Sequence, residues 1–352
     1  MQTLKTSASV QGNTLESDKM KAIVQDEYGS TDVLRLENVD KPVPQDNQVL
    51  VRVYASSVNA GDWHLMRGTP LLIRLMFGGI LKPNIKTLGA DVAGSVEAVG
   101  NEVTQFKPGD QVFGDVSEYG FGAFAEYLCV PQDALVLKPS TIPFAVAAAM
   151  PAAAMAALQA LRDCGQIQPG QKVLINGASG GVGSFAVQIA KAFGTEVTGV
   201  CSTSKVEMVR SQGADHVIDY TKTDCTQAES QYDLILDAAA YRSVSDFLPA
   251  LKPGGTYVMI GGATGSFFQA MLLGPWLAKR RGCNVKCLEM KPNHDDLVTV
   301  GELMVAGKIM PFIDRTFGLD EVPAAMRHVE QRQVQGKVVI NIGEESPCTT
   351  AR

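Results

Sequence analysis

The stretch Asn176–Ser184 reads NGASGGVGS, with four glycines in nine positions. The apolar run KVLI (Lys172–Ile175) precedes it, and FAVQIAKAFG (Phe185–Gly194) follows with apolar residues at helical spacing. A strand therefore turns into a helix through a corner almost free of side chains. The first N–H groups of a helix have no partner within it, and with the helix dipole they attract phosphate. Glycines let the chain turn, approach a pyrophosphate and pack helix against strand. In ASGGVG the three fingerprint positions are Ala178, Gly180 and Gly183, so alanine departs from the G-x-G-x-x-G pattern. Ala178, Ser179, Gly180, Gly181, Val182 and Gly183 are the expected pyrophosphate contacts.

Working outward, the runs KVLIN, EVTGVC, HVIDY, YDLILDAA, GTYVMIGG and NVKCLE alternate with helical patterns. Six short apolar strands separated by helices predict a parallel, doubly wound Rossmann sheet. The chain from Met20 to about Pro143 has another texture: short β-rich runs broken by Pro, Gly and Asp, with little helix. The fold class is therefore α/β with a separate β-rich half. We expect a polar extension over 1–19, a β-rich domain over 20–145 completed by 291–345, a nucleotide-binding domain over 146–290 and a tail over 346–352. The last strand-like run, GKVVINI, is placed to rejoin the β-rich half.

Composition sets limits. A hydrophobic share of 45% and a charged share of 19% over 352 residues describe a folded chain with a large core. The net charge of −6, with no basic block, argues against nucleic acid as a partner. Seven cysteines, mostly inside apolar runs, read as buried thiols of a reducing compartment, and the expected location is cytoplasmic. The start lacks the apolar core of a secretory signal and suits a disordered extension or a weak transit peptide. The apolar segment Ser266–Ala278 is too short to span a bilayer and is broken by Gly274 and Pro275; a surface contact through Lys279, Arg280 and Arg281 stays open.

The second strand of the Rossmann unit decides the cofactor. NAD sites commonly place an acid about 20 residues after the fingerprint, where it binds the ribose hydroxyls. Here the strand ends in Ser202, Thr203, Ser204 and Lys205, with no acid. Hydroxyls and a lysine suit a 2′-phosphate, so NADPH is the expected cofactor.

The segments SSVNAGDWHLMRG (Ser56–Gly68), LGADVAGSVEAVG (Leu88–Gly100), FKPGDQVFG, GAFAEYLCVP and QGKVVI, together with the glycine corner, occur in an order that resembles the medium-chain dehydrogenase/reductase superfamily. Within it the chain is similar to the zinc-independent quinone oxidoreductases, among them the chloroplast-envelope quinone oxidoreductase homologue and reticulon-4-interacting protein groups. The resemblance implies a GroES-like catalytic half, a Rossmann half, an active site in the cleft between them and a homodimer. It implies that Lys205 and Tyr220 lie near the 2′-phosphate, that Arg332 reaches the cofactor and that Gly261 lies beside the nicotinamide. It also places Asn59 and Asp62 at the cleft floor. Where many relatives carry tyrosine two residues after that Asp, this chain has His64, a group able to donate a hydrogen bond or shuttle a proton.

Zinc is not expected. The family's zinc-ligand positions hold Asn59 and Gly89-Ala90-Asp91, and no cysteine precedes Cys129. Cys283 and Cys287 with His294 make a poor tetrahedral set. Without a Lewis acid, reduction of a quinone or of an enone C=C is the expected chemistry, since charge builds on a conjugated oxygen that a hydrogen-bond donor can stabilise. The apolar loops Arg67–Thr87 and Gly262–Trp276 suggest apolar acceptors. The competing readings are a catalytically weak NADPH-binding redox sensor or scaffold, and an alcohol dehydrogenase.

Overall fold

The structure is a computed structural model that describes residues 18–77, 79–227, 229–261 and 269–343. Its strands are β1 (Lys19–Val24), β2 (Arg35–Asp40), β3 (Gln48–Val58), β4 (Asp91–Val99), β5 (Gln111–Asp115), β6 (Tyr127–Pro131) and β7 (Leu135–Leu137) in the first half. The middle of the chain supplies β8 (Lys172–Asn176), β9 (Glu196–Cys201), β10 (His216–Asp219), β11 (Tyr232–Asp237), β12 (Leu251–Met259) and β13 (Asn284–Cys287). The last two are β14 (Ile313–Gly318) and β15 (Lys337–Asn341).

Strands β8 to β13 form one parallel sheet in the order β10-β9-β8-β11-β12-β13. All six runs singled out in the sequence are its strands. Their central members are apolar on both faces, as KVLIN and YDLILD show, because helices cover the sheet on either side. The strand order reverses between β8 and β11, and a crevice opens there at the carboxyl ends of the strands.

The second sheet has seven strands, with β14-β15-β3-β4-β5-β7 in line and β6 paired to β3. Strand β15 runs antiparallel to β3, with Val338 opposite Val58, so the chain's last strand does return to the β-rich half. That half is less purely β than its sequence reads. Helices span Ala60–Arg67 and Leu71–Met76.

The alanine-rich helix Pro151–Gln159 lies where the two halves meet. It is buried on nearly every face and packs against the helix Gly181–Ala192 and the helix His294–Val305. Small side chains let these helix axes approach closely. The same core joins Phe113 and Phe144 of the first half to Val173, Ile175 and Phe185 of the second.

Candidate functional site

The glycine corner folds as a strand–turn–helix, with one shift from the sequence reading. The left-handed turn falls on Gly177, at φ +80°, and not on Ala178. Ala178 is fully buried in the core, so its part is packing against the second strand rather than phosphate contact. At Gly183 an added Cβ would sit 2.1 Å from the Gly177 carbonyl oxygen, so only glycine lets helix and turn approach. The working pattern is thus Gly177-x-x-Gly180-x-x-Gly183.

Above this corner lies a cavity of about 660 Å³, within the size range of ligand pockets. Of the residues expected to bind the cofactor, Ser179, Gly180, Gly181, Val182 and Gly183 line it at the helix start. Lys205, Tyr220 and Arg332 also line it, and Asn59 and Lys337 belong to its wall from the β-rich half. Ser202, Thr203 and Gly261 are not among the lining residues. The Thr203 hydroxyl donates instead to Asp219, 2.6 Å away, and this bond does most to hold the Asp219 carboxyl down at about 2. Lys205 donates to the Val334 carbonyl at 2.8 Å. Arg332 lies 4.5 Å over the ring of Tyr241.

At the crevice between β8 and β11, Asp237 organises the wall. Its buried carboxylate accepts from Asn176, from the backbone of Ala239 and Ala240, and from the Tyr257 hydroxyl at 2.6 Å. These bonds fix the loop whose Ala238 and Ala239 face the cavity.

The wall from the β-rich half is built around Asp91, which is fully buried. One carboxylate oxygen accepts from Ser57 at 2.5 Å, from the Asn59 amide at 2.8 Å and from Lys337 Nζ at 3.2 Å. The other accepts from the Ala152 backbone at 2.8 Å. Lys337 Nζ also donates to Asn59 Oδ1 at 2.5 Å. An ammonium can only donate, so this contact fixes which end of the Asn59 amide is which. In the sequence Asp91 figures only in the segment Gly89-Ala90-Asp91 that lacks a zinc-ligating His, and Lys337 is given no role. The signal present was an acid opening the apolar strand DVAGSV and a lysine opening KVVIN.

Asp62 and His64 are not among the residues lining the cavity. Asp62 accepts from the backbone N–H of Asn59 at 2.8 Å and of Gly89 at 2.9 Å, which ties the Ala60–Arg67 helix to the strand that carries Asp91. Burial pushes its carboxyl up to about 7, against the pull of those two bonds. His64 shares a hydrogen bond between Nδ1 and the Thr69 carbonyl at 2.7 Å. Residues 262–268 of the second apolar loop lie outside the described residues. Met271, Leu272, Leu273 and Trp276 beyond them are exposed, as are Leu71, Leu72, Leu75 and Met76 of the first loop.

The donor set does not fit a divalent metal. A protonated amine already sits between Asn59 and Asp91. Among the described residues no three His, Cys, Asp or Glu side chains are grouped to hold an ion. The cavity does fit a dinucleotide, since it runs from a helix N-terminus with glycines at its turn to a lysine at the end of the second strand.

The β-rich half, the Rossmann sheet and the cavity where they meet define a nicotinamide-dependent oxidoreductase. Residues 45–140 match the family described as alcohol dehydrogenase GroES-like domain, and residues 212–340 match zinc-binding dehydrogenase. The human protein named "NAD(P)H oxidoreductase RTN4IP1, mitochondrial" is 34% identical over 93% of this chain and 90% of its own length. The Arabidopsis thaliana protein named "NADPH-dependent alkenal/one oxidoreductase, chloroplastic" is 34% identical over 92% of this chain and 79% of its own length. The solved quinone oxidoreductase from Coxiella burnetii superposes with a TM-score of 0.82 at 29% identity, over 92% of this chain and all of that one. This chain belongs to the medium-chain dehydrogenase/reductase superfamily.

One expectation is corrected by these relatives. The cysteine pattern suggested the cytoplasm, but the names of the human and Arabidopsis proteins place them in mitochondria and chloroplasts and point to an organelle. Buried thiols report only a reducing compartment, which organelle interiors also provide. No helix among the described residues is long and apolar enough to cross a membrane.

Proposed function

We propose that this chain is a zinc-independent NADPH-dependent reductase of quinones and of the C=C bond of α,β-unsaturated carbonyls. The observation that carries the reading is the cavity itself, which joins a glycine-lined helix start to a polar wall that carries Lys337. The names of the Arabidopsis and Coxiella proteins support the substrate class. Lys205, which lines the cavity just after the second strand, favours a 2′-phosphate.

When bound, the cofactor supplies a hydride. The chain's own residues do the rest. The N–H groups at the start of the Gly181–Ala192 helix hold the pyrophosphate, and Lys205 and Tyr220 hold the adenosine phosphate. Arg332 closes over the cavity from the other half. Asn59, fixed by Lys337 and Asp91, shapes the floor on which the acceptor rests. A network held in place in this way costs no reorganisation when charge develops. Asp62 and His64 keep a part in our proposal only as groups that hold the Ala60–Arg67 helix in place. Apolar acceptors and a homodimer remain within the proposal, on the exposed leucines of the two loops and on the family resemblance.

The test is the fate of the label from NADPH deuterated at the transferable C4 position. With an enone, deuterium is expected on the β-carbon of the saturated product. Product without label, or reduction of the carbonyl to an alcohol with the C=C intact, would overturn the reading.

A further inference from the structure

Lys337 is only 3% exposed, yet no role in the reaction attaches to it so far. Its position is built with care. Gly336, at φ +71°, lies so close to Phe312 that a Cβ would meet the Phe312 carbonyl oxygen at 2.1 Å. The Gly336 N–H donates to the Ser179 carbonyl at 2.8 Å, which pins the start of β15 to the glycine corner of the other half. The lysine stem then passes Gly181, where an added Cβ would lie 3.2 Å from Lys337 Cδ. The ammonium ends against Asn59 and Asp91.

Hydrogen-bond arithmetic separates the groups on this wall. Asp91 accepts four donors and has nothing to donate. The Asn59 amide is engaged at both ends: its oxygen takes Lys337, and its nitrogen donates to Asp91 at 2.8 Å and, more loosely, to the Ser57 carbonyl at 3.5 Å. Lys337 carries three N–H bonds, and two go to these partners. The third is left for the cavity that Lys337 lines. It is also charged, and a charged donor in a dry site gains most from an oxygen that becomes negative.

We propose that Lys337 is the oxyanion-stabilising residue of this site, donating its third N–H to the acceptor oxygen as that oxygen becomes enolate or hydroquinonate. The inference rests on the proposed reductase activity. The step balances without an added reactant. The acceptor carbon gains hydride, the oxygen gains the negative charge and is held by the ammonium, and water then supplies the proton. Asp91 is the counter-charge that keeps the ammonium buried, and Asn59 aims it.

The experiment uses the full chain with NADP⁺ and 4-nitrophenol, whose phenolate resembles a hydroquinonate and is read by its visible absorbance without turnover. Wild type is expected to bind the phenolate at least roughly tenfold better than the phenol, a drop of about one unit in the apparent pKa of the bound dye. Lys337→Met is expected to lose that preference, and Lys337→Arg to keep it. In the same variants kcat for a quinone or enone should fall about a hundredfold in Lys337→Met, the loss seen when one oxyanion donor is removed, while NADPH affinity by fluorescence changes less than about threefold. Wild type without any phenolate preference overturns the proposal even if Lys337→Met does not fold, and so does a folded Lys337→Met that retains the preference. Failure of wild type to reduce any quinone or enone overturns the reductase reading, and the dye titration keeps that failure distinct from a failure of Lys337.

Discussion

Lys205 Nζ donates 2.8 Å to the carbonyl of Val334, so the cation at the end of the second Rossmann strand is tied to the segment that leads into β15 of the other half. Burial holds this ammonium below the ordinary lysine range. A 2′-phosphate would offer it a full negative charge in place of a carbonyl dipole. Lys205→Ala should therefore raise KM for NADPH about 10- to 100-fold, the loss of roughly 1.5–3 kcal/mol for a hydrogen bond to a charged group. KM for NADH, which lacks the phosphate, should move less than about threefold. Steady-state kinetics with both cofactors checks this, and equal losses would contradict the assignment.

Gly183→Ala tests the corner. The new methyl would lie 2.1 Å from the Gly177 oxygen and 2.9 Å from Ala178 Cα, both backbone atoms that cannot swing away. We expect destabilisation of about 1–3 kcal/mol in denaturant unfolding, together with weaker NADPH binding. Gly307→Ala is a poor control because of its positive φ, whereas Gly61→Ala, with open space around it, should be nearly silent.

The buried acids give a pH dependence of definite sign. Asp62 and Asp115 are both raised, chiefly by burial, and Asp115 further by the charge of Asp91. A carboxyl whose folded pKa lies above its unfolded value binds more protons when folded. Its contribution is complete below the unfolded value of 3.8 and is lost as pH rises through about 7, the value Asp62 reaches. Among the described residues Asp115 Oδ2 has no hydrogen-bond partner, while Oδ1 accepts from the Ser117 N–H. Asp115→Asn keeps the latter and removes the buried charge. The melting temperature of Asp115→Asn relative to wild type should be higher at pH 8 than at pH 5; the reverse order would contradict the burial argument.

Metal chelation should leave activity unchanged within about twofold. The ammonium of Lys337, between Asn59 and Asp91, repels a divalent cation from the polar wall that the β-rich half gives the cavity. Inactivation by a chelator, reversed by zinc, would show that the wall rearranges around an ion.

The Rossmann sheet is legible in the sequence because its strands are continuous apolar runs bounded by glycine, and the period is local. Most of the glycine corner is legible too, but not the turn at Gly177, because a positive φ leaves no mark in composition. The joint role of Asp91 and Lys337 is not legible, for a different reason. They lie 246 residues apart in the chain and gain their meaning only when β15 pairs beside β3. His64 is the converse case: its type and place near a motif suggest chemistry, while in the fold its ring bonds to the Thr69 carbonyl away from the residues lining the cavity. Local pattern sets elements, while a network assembled from distant strands becomes visible only in the fold.

The central claim is best tested by following NADPH oxidation by the full-length protein, with chelator present, against a quinone, a short and a long-chain enone, a saturated aldehyde and an alcohol. The account predicts turnover with the quinone or the enones, a preference for NADPH over NADH and no effect of the chelator. Turnover of the alcohol alone, abolished by chelator, would contradict it.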